Sequence, residues 1–305
     1  MDNKIVFMFS GQGAQYTGMG KELYDSSDAA RAIFELADSI RPGTMRQCFS
    51  GSDEELGKTA NTQPCVFCVD LAAAAALKEA GVNADILAGF SLGELPALAF
   101  SGAISYEDGF RLVCKRAEFM ENASETTNAG MAAVLRLSND DVERLCKEHK
   151  NVFPVNYNCP GQIVVAGLIE QLDLFKEQIA KAGGRYIPLK TSGGFHSPFM
   201  IAASADFAAE IISYNIEQPS IPTYSNVTGK PYDGEVKDLL ARQISSPVKW
   251  ESAVREMLSA GANTFIETGP GKTLCGLVQR ISDNARILNV EDSNSLNITL
   301  REFSS

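Results

Sequence analysis

A serine flanked by glycines and a shortage of histidine limit the chemistry that this sequence can carry. Ser91 is the centre of Gly89-Phe90-Ser91-Leu92-Gly93, a G-x-S-x-G run that follows the apolar segment Ile86-Leu87-Ala88. Such a run can form a sharp strand-to-helix turn that exposes the serine hydroxyl, although it also occurs in ordinary turns. The hydroxyl becomes a good nucleophile when a neighbouring base accepts its proton. The 2 histidines of the chain, His149 and His196, are the candidates for that base.

The two histidines lie in different sequence contexts. His149 is in Lys147-Glu148-His149-Lys150, near the end of a predicted helix, where an imidazole among charges is typical of a solvated helix end. His196 is in Gly193-Gly194-Phe195-His196-Ser197-Pro198, where glycines permit close approach and a proline restricts the exit of the loop. A lone loop histidine is most often only exposed, but here no other imidazole competes for Ser91. We therefore expect His196 to be the base.

A second glycine-rich run, Ser10-Gly11-Gln12-Gly13-Ala14-Gln15, follows the first predicted strand. Glycine-rich turns at strand ends often bind phosphate, but this run lacks both the lysine of a P-loop and the G-x-G-x-x-G spacing. It could instead direct a backbone N–H towards an oxyanion beside Ser91. The residues alone leave both interpretations open.

Composition narrows the class of protein. Of the 305 residues, 45% are hydrophobic and 21% are charged, as in soluble globular proteins. The N-terminal apolar segment 5–9 is too short for a signal peptide and no apolar run approaches the roughly 18 residues of a membrane helix, so we expect a cytoplasmic protein without membrane contact. The net charge of −11 argues against nucleic acid as a partner.

The 7 cysteines lack the spacing of a disulfide framework. Cys65 and Cys68 form one C-x-x-C pair, but no second pair completes a zinc site, and we expect both thiols to pack in the core.

The order of apolar segments predicts an α/β fold with an insertion. Strands at 5–9 and 86–90 alternate with helices at 64–79 and 106–121, and residues 122–129 resemble a joint. Segments from 131 to 189 follow the order β-α-β-β-α-β of a ferredoxin-like unit. We predict a discontinuous large domain over residues 1–128 and 194–305, a small inserted domain over 129–193, and a ligand cleft between them.

Eight short blocks in a fixed order carry a family resemblance. They are FSGQGAQ (9–15), TQP (62–64), GFSLGE (89–94), KRAEFM (115–120), NYNCPGQ (156–162), GFHSP (194–198), SPVKW (246–250) and ETGPGK (267–272). This set, which extends over nearly the whole chain, resembles the malonyl-CoA:acyl-carrier-protein transacylases, the discrete acyltransferases of fatty acid and polyketide synthesis. The resemblance implies an α/β-hydrolase-like large domain with a ferredoxin-like insert, in agreement with the order of elements.

The resemblance also implies roles for individual residues. Ser91 would attack the thioester of malonyl-CoA, and His196 would accept its proton and later activate the phosphopantetheine thiol of an acyl carrier protein. The backbone N–H groups of Gln12 and Leu92 would form the oxyanion hole. A main-chain carbonyl around Lys249 would orient His196 in place of an acidic residue. No metal and no bound cofactor are implied.

Arg116 is the residue that the resemblance connects with substrate choice. A guanidinium can hold a carboxylate through two parallel hydrogen bonds, and a malonyl group carries a free carboxylate. Without the resemblance, Arg116 beside Glu118 is more simply a residue on a helix surface. Phe195 resembles the residue of malonyl-selective members, and we expect its ring to exclude a 2-methyl branch. Gln63 and Asn158, in matched blocks, are further expected substrate-binding residues.

Two residues depart from the family pattern. Phe90 stands where most members have histidine, which leaves rate and acyl preference open, and Ser10 stands where many have proline. We expect a monomer that transfers malonyl groups for fatty acid biosynthesis. Alternatives are an acyltransferase that serves a polyketide synthase, a serine acyl hydrolase or thioesterase, and a silent carrier-binding module. Arg116 argues against the hydrolase, and the presence of both Ser91 and His196 argues against the silent module.

Overall fold

Strands and helices alternate along the chain in the computed structural model, which describes residues 3–191 and 193–303. The strands are β1 (Lys4–Phe9), β2 (Ile86–Gly89), β3 (Ala129–Leu135), β4 (Val152–Cys159), β5 (Gln162–Leu168), β6 (Arg185–Pro188), β7 (Thr223–Tyr224), β8 (Ala262–Thr268) and β9 (Arg286–Val290). The α-helices are α1 (Lys21–Ser26), α2 (Asp28–Ile40), α3 (Thr44–Ser50), α4 (Asp53–Leu56), α5 (Thr59–Glu79), α6 (Glu94–Phe100), α7 (Tyr106–Glu125), α8 (Asn139–Glu148), α9 (Ile169–Lys181), α10 (Ile201–Ile211), α11 (Val236–Gln243), α12 (Trp250–Ser259), α13 (Thr273–Ile281) and α14 (Ser293–Arg301).

A parallel sheet in the order β7-β2-β1-β8-β9 forms the centre of the larger part of the molecule. Strands β1 and β2 are nearly continuous apolar runs because helices cover both faces of such a sheet. Phe9 at the end of β1 is in register with Gly89 at the end of β2. The loop after β1 and the turn after β2 therefore leave the same edge of the sheet side by side.

Helix α5 is the central core helix, and the first residue expected for it is wrong. By length and composition alone α5 could cross a membrane, but 83% of that window is buried inside the protein, as in a core helix. It begins at Thr59 and not at Pro64, which lies inside the helix. The helix tolerates Pro64 near its first turns, where a proline removes one backbone hydrogen bond. Cys65 and Cys68 are both fully buried on α5, as expected of core thiols.

An antiparallel sheet in the order β4-β5-β3-β6 forms the smaller part. If β3, β4, β5 and β6 are numbered 1 to 4, their order across the sheet from β6 to β4 is 4-1-3-2. This order confirms the ferredoxin-like arrangement, with α8 and α9 as its helices. The joint expected from residue 122 is wrong because α7 continues to Glu125, where the Ser124 hydroxyl donates to the Met120 carbonyl. The domain limits at 128/129 and 193/194 stay predictions, and the outer limits 1 and 305 lie outside the described residues.

Strand β4 also bonds to the larger part of the molecule. The Tyr157 N–H donates to the Val248 carbonyl over 2.9 Å, and the Val248 N–H donates to the Val155 carbonyl over 2.8 Å. Val248 belongs to the segment before α12 in the larger part, so these bonds fix the position of β4 relative to the parallel sheet. A cleft between the two parts results, with the carboxyl ends of β1 and β2 on one side.

Candidate active site

The turn after β2 is a strand-to-helix elbow and not an ordinary turn. Ser91 has a φ of 55°, in the left-handed region that non-glycine residues rarely adopt. A Cβ atom on Gly89 would lie 2.0 Å from the Gly93 carbonyl carbon, and one on Gly93 would lie 2.2 Å from the Phe9 carbonyl oxygen. Both glycines are therefore required by close backbone approach, and the elbow raises Ser91 at the end of the strand.

Asn226, in the segment after β7, holds this elbow from the side. Its Oδ1 accepts a hydrogen bond from the Ser91 N–H over 2.7 Å, and its Nδ2 donates to the Gly89 carbonyl over 2.6 Å. The side chain is buried, so these bonds are shielded from water. Sequence reasoning missed Asn226, which lies 135 residues from Ser91 along the chain.

The structure brings His196 to Ser91. The distance between Ser91 Oγ and His196 Nε2 is 2.7 Å, and His196 Nδ1 lies 2.9 Å from the Gln243 carbonyl oxygen. A carbonyl only accepts hydrogen bonds, so Nδ1 carries the imidazole proton and Nε2 is free to accept the proton of Ser91. His196 also has a left-handed φ of 60°, so both members of the pair have strained backbones.

The expected orienting carbonyl at Lys249 is wrong, and Gln243 supplies it. The Lys249 carbonyl accepts from the Ala253 N–H over 3.0 Å in the first turn of α12, so it is committed to that helix. Gln243 is the last residue of α11. The final carbonyl groups of a helix lack partners within the helix, which leaves the Gln243 carbonyl available for His196.

Burial keeps His196 neutral. Its side chain is 3% exposed. Desolvation, followed by the nearby charge of Arg116, lowers the pKa of His196 to about 4. At neutral pH the imidazole is therefore an unprotonated base, as proton transfer from Ser91 requires. His149, by contrast, follows α8, where its ring meets that of Phe175 edge-on at 5.3 Å in the smaller part of the molecule.

Arg116 lies inside the site and not on a helix surface. Its side chain is 1% exposed on α7. Nη1 donates to Gln63 Oε1 over 2.6 Å, and Nη2 donates to Gln243 Oε1 over 2.8 Å and to Ser91 Oγ over 3.2 Å. Burial lowers the pKa of Arg116, and the negative charge of Glu94 raises it in part, so that the pKa is about 10. The guanidinium is therefore positive at neutral pH. A buried cation thus lies within hydrogen-bonding distance of the candidate nucleophile.

Glu94 completes this buried group and was missed by sequence reasoning. It is the first residue of α6 and is fully buried. Its carboxylate accepts from Gln243 Nε2 over 2.8 Å, from the Asn226 N–H over 3.3 Å and from the Tyr232 hydroxyl. The Gln243 side chain therefore connects Glu94 with Arg116. The available sequence signal is an acidic residue directly after the G-x-S-x-G run.

The loop after β1 packs directly against the elbow. A Cβ atom on Gly11 would lie 2.9 Å from the Phe90 carbonyl oxygen, so a glycine is needed for this approach. Gln12 follows in the same loop, and its Nε2 donates to Thr59 Oγ1 over 3.2 Å. Leu92 is the residue after Ser91, in the short 3-10 turn Ser91–Gly93. The two candidate oxyanion N–H groups therefore belong to backbone segments in contact.

A cavity of about 210 Å³ lies in the cleft beside this loop. Gln12, Phe90, Asn156 and Asn158 line it. Within the described residues, the side-chain oxygens of Asn156 and Asn158 are buried and have no hydrogen-bond partner. Phe90, the departure from the family pattern, contacts the Trp250 ring edge-on at 5.6 Å. In the cavity wall, Phe90 therefore presents an apolar ring that Trp250 supports from outside the lining.

Two expected substrate-binding residues are held by the protein itself. Gln63 accepts from Arg116, and its Nε2 lies 3.4 Å from Met120 Sδ, so both ends of the carboxamide have partners. Phe195 is buried in the large hydrophobic core and does not line the cavity described above. The structure therefore places Gln63 as a partner of Arg116, and the Phe195 ring in the core beside His196.

The chain matches one family over nearly its whole length. The model of the family described as "Acyl transferase domain" matches residues 6–297. Malonyl CoA-acyl carrier protein transacylase of Bacillus subtilis is 36% identical over 308 residues, covering 98% of this chain and 97% of the relative.

Solved structures give the same result. The crystal structure of malonyl CoA-acyl carrier protein transacylase from Clostridium perfringens has 38% identity and a TM-score of 0.95, with 99% of this chain and 97% of that chain covered. A malonyl-transacylase in complex with a type II polyketide synthase acyl-carrier protein has 30% identity and a TM-score of 0.95, with 98% and 100% covered. The fold class is thus confirmed, and the chain belongs to the acyl transferase domain family.

Proposed function

We propose that this protein transfers a malonyl group from malonyl-CoA to the phosphopantetheine thiol of an acyl carrier protein through a malonyl-O-serine intermediate. One observation carries the proposal: a neutral His196 and a cationic Arg116 both lie within hydrogen-bonding distance of Ser91 Oγ, at 2.7 and 3.2 Å. The first group supplies a base, and the second supplies a partner for a carboxylate on the acyl group.

In the first half-reaction, Ser91 Oγ attacks the thioester carbonyl while its proton passes to His196 Nε2. The carbonyl oxygen becomes an oxyanion, which the backbone N–H groups of Gln12 and Leu92 stabilise. The Gln243 carbonyl accepts a hydrogen bond from the Nδ1–H group throughout and stabilises the imidazolium that forms. The carbon–sulfur bond then breaks, and His196 returns the proton to the leaving CoA thiolate.

The second half-reaction reverses these steps with another thiol. His196 removes the proton of the phosphopantetheine thiol, the sulfur attacks the malonyl ester on Ser91, and the ester oxygen leaves with the proton from His196. Ser91 is restored, and the malonyl group is bound to the carrier protein as a thioester. Both steps balance with these side chains and backbone groups, so the proposal includes no metal and no bound cofactor.

Arg116 gives this site its preference for a malonyl group. Its guanidinium exchanges the bonds to Gln243 and Ser91 for two bonds to the substrate carboxylate, while the bond from Nη1 to Gln63 keeps it in place. An acetyl group leaves the buried cation without a carboxylate. Asn158 offers an unpartnered buried oxygen to the amide N–H groups of the pantetheine arm. The proposal that Phe195 excludes a 2-methyl branch is supported only by its position next to His196 along the chain, since its ring is buried in the core.

The proposed setting is fatty acid biosynthesis by a monomer in the cytoplasm. The alternative of service to a polyketide synthase rests on the relative whose structure contains a polyketide carrier protein. A hydrolase remains the second class of function, and the buried position of Arg116 beside Ser91 disfavours it, since a general acyl hydrolase has no use for a carboxylate partner.

A competition experiment tests the proposal. The protein is incubated with equal amounts of malonyl-, methylmalonyl- and acetyl-CoA and a holo acyl carrier protein, and the carrier is analysed by intact mass spectrometry. We expect malonyl carrier protein to predominate, Ser91→Ala to abolish loading, and the exposed control Ser213→Ala to match the wild type. Release of free malonate without carrier loading would support the hydrolase, and equal loading of acetyl groups would contradict the role of Arg116.

A further inference from the structure

The buried group around Ser91 holds one cation and one acid that can balance it. Arg116 is the cation, and Glu94 is the acid whose charge acts on it. No direct ion pair joins them in the described chain, because the Gln243 carboxamide lies between: it donates to Glu94 and accepts from Arg116. Both side chains are almost completely removed from water, so the charge of this group has few other means of compensation.

A malonyl carboxylate on Arg116 would change this balance. The buried group would then contain two anions and one cation, and an unpaired buried charge is strongly unfavourable. Protonation of Glu94 removes the excess negative charge. We propose that Glu94 is the counter-ion of Arg116 in the free enzyme and takes up one proton when the substrate carboxylate binds Arg116. This inference rests on the proposed malonyl transfer.

The surroundings of Glu94 can accommodate both protonation states. The ionised carboxylate accepts three kinds of donor: the Gln243 amide, the Asn226 N–H and the Tyr232 hydroxyl. The protonated acid can donate to Tyr232 Oη if the phenolic hydrogen turns away. Ser225 is a second hydrogen-bond partner of the Tyr232 hydroxyl. A chain of rotatable hydroxyl groups thus allows the donor direction to reverse without movement of heavy atoms.

The titratable groups facing Glu94 agree with proton uptake near neutral pH. Burial raises the pKa of Glu94 to about 7, while Tyr232, Gln243, Asn226 and the charge of Arg116 each lower it. Arg116 comes from α7, and Tyr232 comes from the segment after β7. Neutralisation of Arg116 by a substrate carboxylate removes one of the influences that keep Glu94 ionised. The free enzyme is therefore mostly ionised above neutral pH, and the malonyl-bound enzyme is protonated.

The pH dependence of the ratio between malonyl and acetyl transfer tests this coupling. The effects of His196 and of the thiol cancel in that ratio of kcat/KM values. In the wild type, the ratio should fall about tenfold per pH unit above pH 7, since each malonyl group must bring one proton with it. Glu94→Gln, which can keep bonds to Gln243 and Tyr232, should give a ratio that does not change with pH.

Two further variants make the test specific. Tyr232→Phe removes a donor that keeps Glu94 ionised, so the pH at which the ratio begins to fall should rise. Glu107→Gln, an exposed acid on α7, should behave as the wild type. A ratio that is independent of pH in the wild type, or one that falls equally in the wild type and Glu94→Gln, would overturn the proposal.

Proton uptake can also be measured directly on the wild-type protein. Malonyl-CoA or acetyl-CoA is mixed with the enzyme at pH 8 in weak buffer containing a pH indicator, and the adduct is quantified by mass spectrometry. About one more proton should be taken up per malonyl adduct than per acetyl adduct. If a malonyl adduct forms on Ser91 but proton uptake is the same for malonyl-CoA and acetyl-CoA, the role of Glu94 is refuted and the proposed function stands. If no malonyl adduct forms on Ser91, the proposed function itself is refuted.

Discussion

Replacing Arg116 by alanine should separate malonyl transfer from acetyl transfer. The substitution removes the partner of the malonyl carboxylate, and an acetyl group has no carboxylate. We therefore expect kcat/KM for malonyl-CoA to fall while kcat/KM for acetyl-CoA is retained or rises. The guanidinium offers the substrate two charge-assisted hydrogen bonds, each worth roughly 1.5–3 kcal/mol.

The structure places the net effect at the lower end, about 1.5 kcal/mol for each bond and about 3 kcal/mol for the two bonds together. In the free enzyme, Arg116 already donates to Gln63, Gln243 and Ser91, so substrate bonds replace existing ones. A loss of about 3 kcal/mol corresponds to a decrease of roughly 150-fold in the ratio of malonyl to acetyl transfer. This is the quantity to be measured, because it is independent of the fraction of active enzyme.

The assay follows loading of a holo acyl carrier protein from each acyl-CoA under initial-rate conditions. Arg111→Ala is the matched control, since Arg111 lies on the same helix but is exposed and pairs with Glu107. An exposed pair contributes little, so its ratio should remain within about twofold of the wild type. Equal losses of malonyl and acetyl transfer in Arg116→Ala would refute the reasoning and make Arg116 a residue that only organises Ser91.

Three further predictions concern His196, the elbow at Ser91, and Asp70, a fully buried residue of the core helix α5. Because the pKa of His196 is lowered to about 4, acetyl transfer should keep its full kcat/KM down to about pH 5 and decline only below it; a decline centred near the ordinary value of 6.5 would contradict the buried position of the imidazole. Asn226→Ala removes two hydrogen bonds from the elbow and should lower kcat for both acyl groups at least about tenfold, with KM little changed; an unchanged kcat in the variant would argue that the glycines alone hold Ser91. Burial raises the pKa of Asp70 well above its ordinary value, so unfolding releases a proton and the free energy of unfolding decreases as pH rises above about 4. The asparagine of Asp70→Asn has no such proton, so chemical denaturation should show the variant becoming more stable relative to the wild type between pH 4.5 and pH 8. A stability difference that stays constant over this range would count against a buried neutral acid.

Local patterns in the sequence predicted the parts of the fold and site that depend on local geometry. The G-x-S-x-G run predicted the elbow because Gly89 and Gly93 are required by backbone contacts within the turn itself. The alternation of apolar segments predicted the β-α-β-β-α-β order, which the sheet order confirms. His196 was predicted because histidine is scarce in this chain, so elimination identified the partner of Ser91 without any knowledge of distance.

The residues that were missed act through contacts between distant segments. The Gln243 contact with His196 uses a backbone carbonyl, which every residue possesses, and it depends on the end of α11, a helix that was not predicted. The orienting role was therefore assigned to the carbonyl of Lys249, which instead accepts a hydrogen bond in the first turn of α12. Asn226 and Glu94 carry common polar side chains whose importance appears only when β7 is paired beside β2. The position of Glu94 directly after the G-x-S-x-G run marks that residue, but sequence spacing contains no signal for the pairing of the two strands.

The covalent state of Ser91 tests the central claim most directly. The protein is mixed with malonyl-CoA without a carrier protein, and intact mass measurement is followed by peptide mapping. We predict a mass gain of one malonyl group on the peptide that contains Ser91, its absence in Ser91→Ala, and its removal when a holo acyl carrier protein is added. An unmodified Ser91 peptide with the malonyl group on another residue would contradict the account.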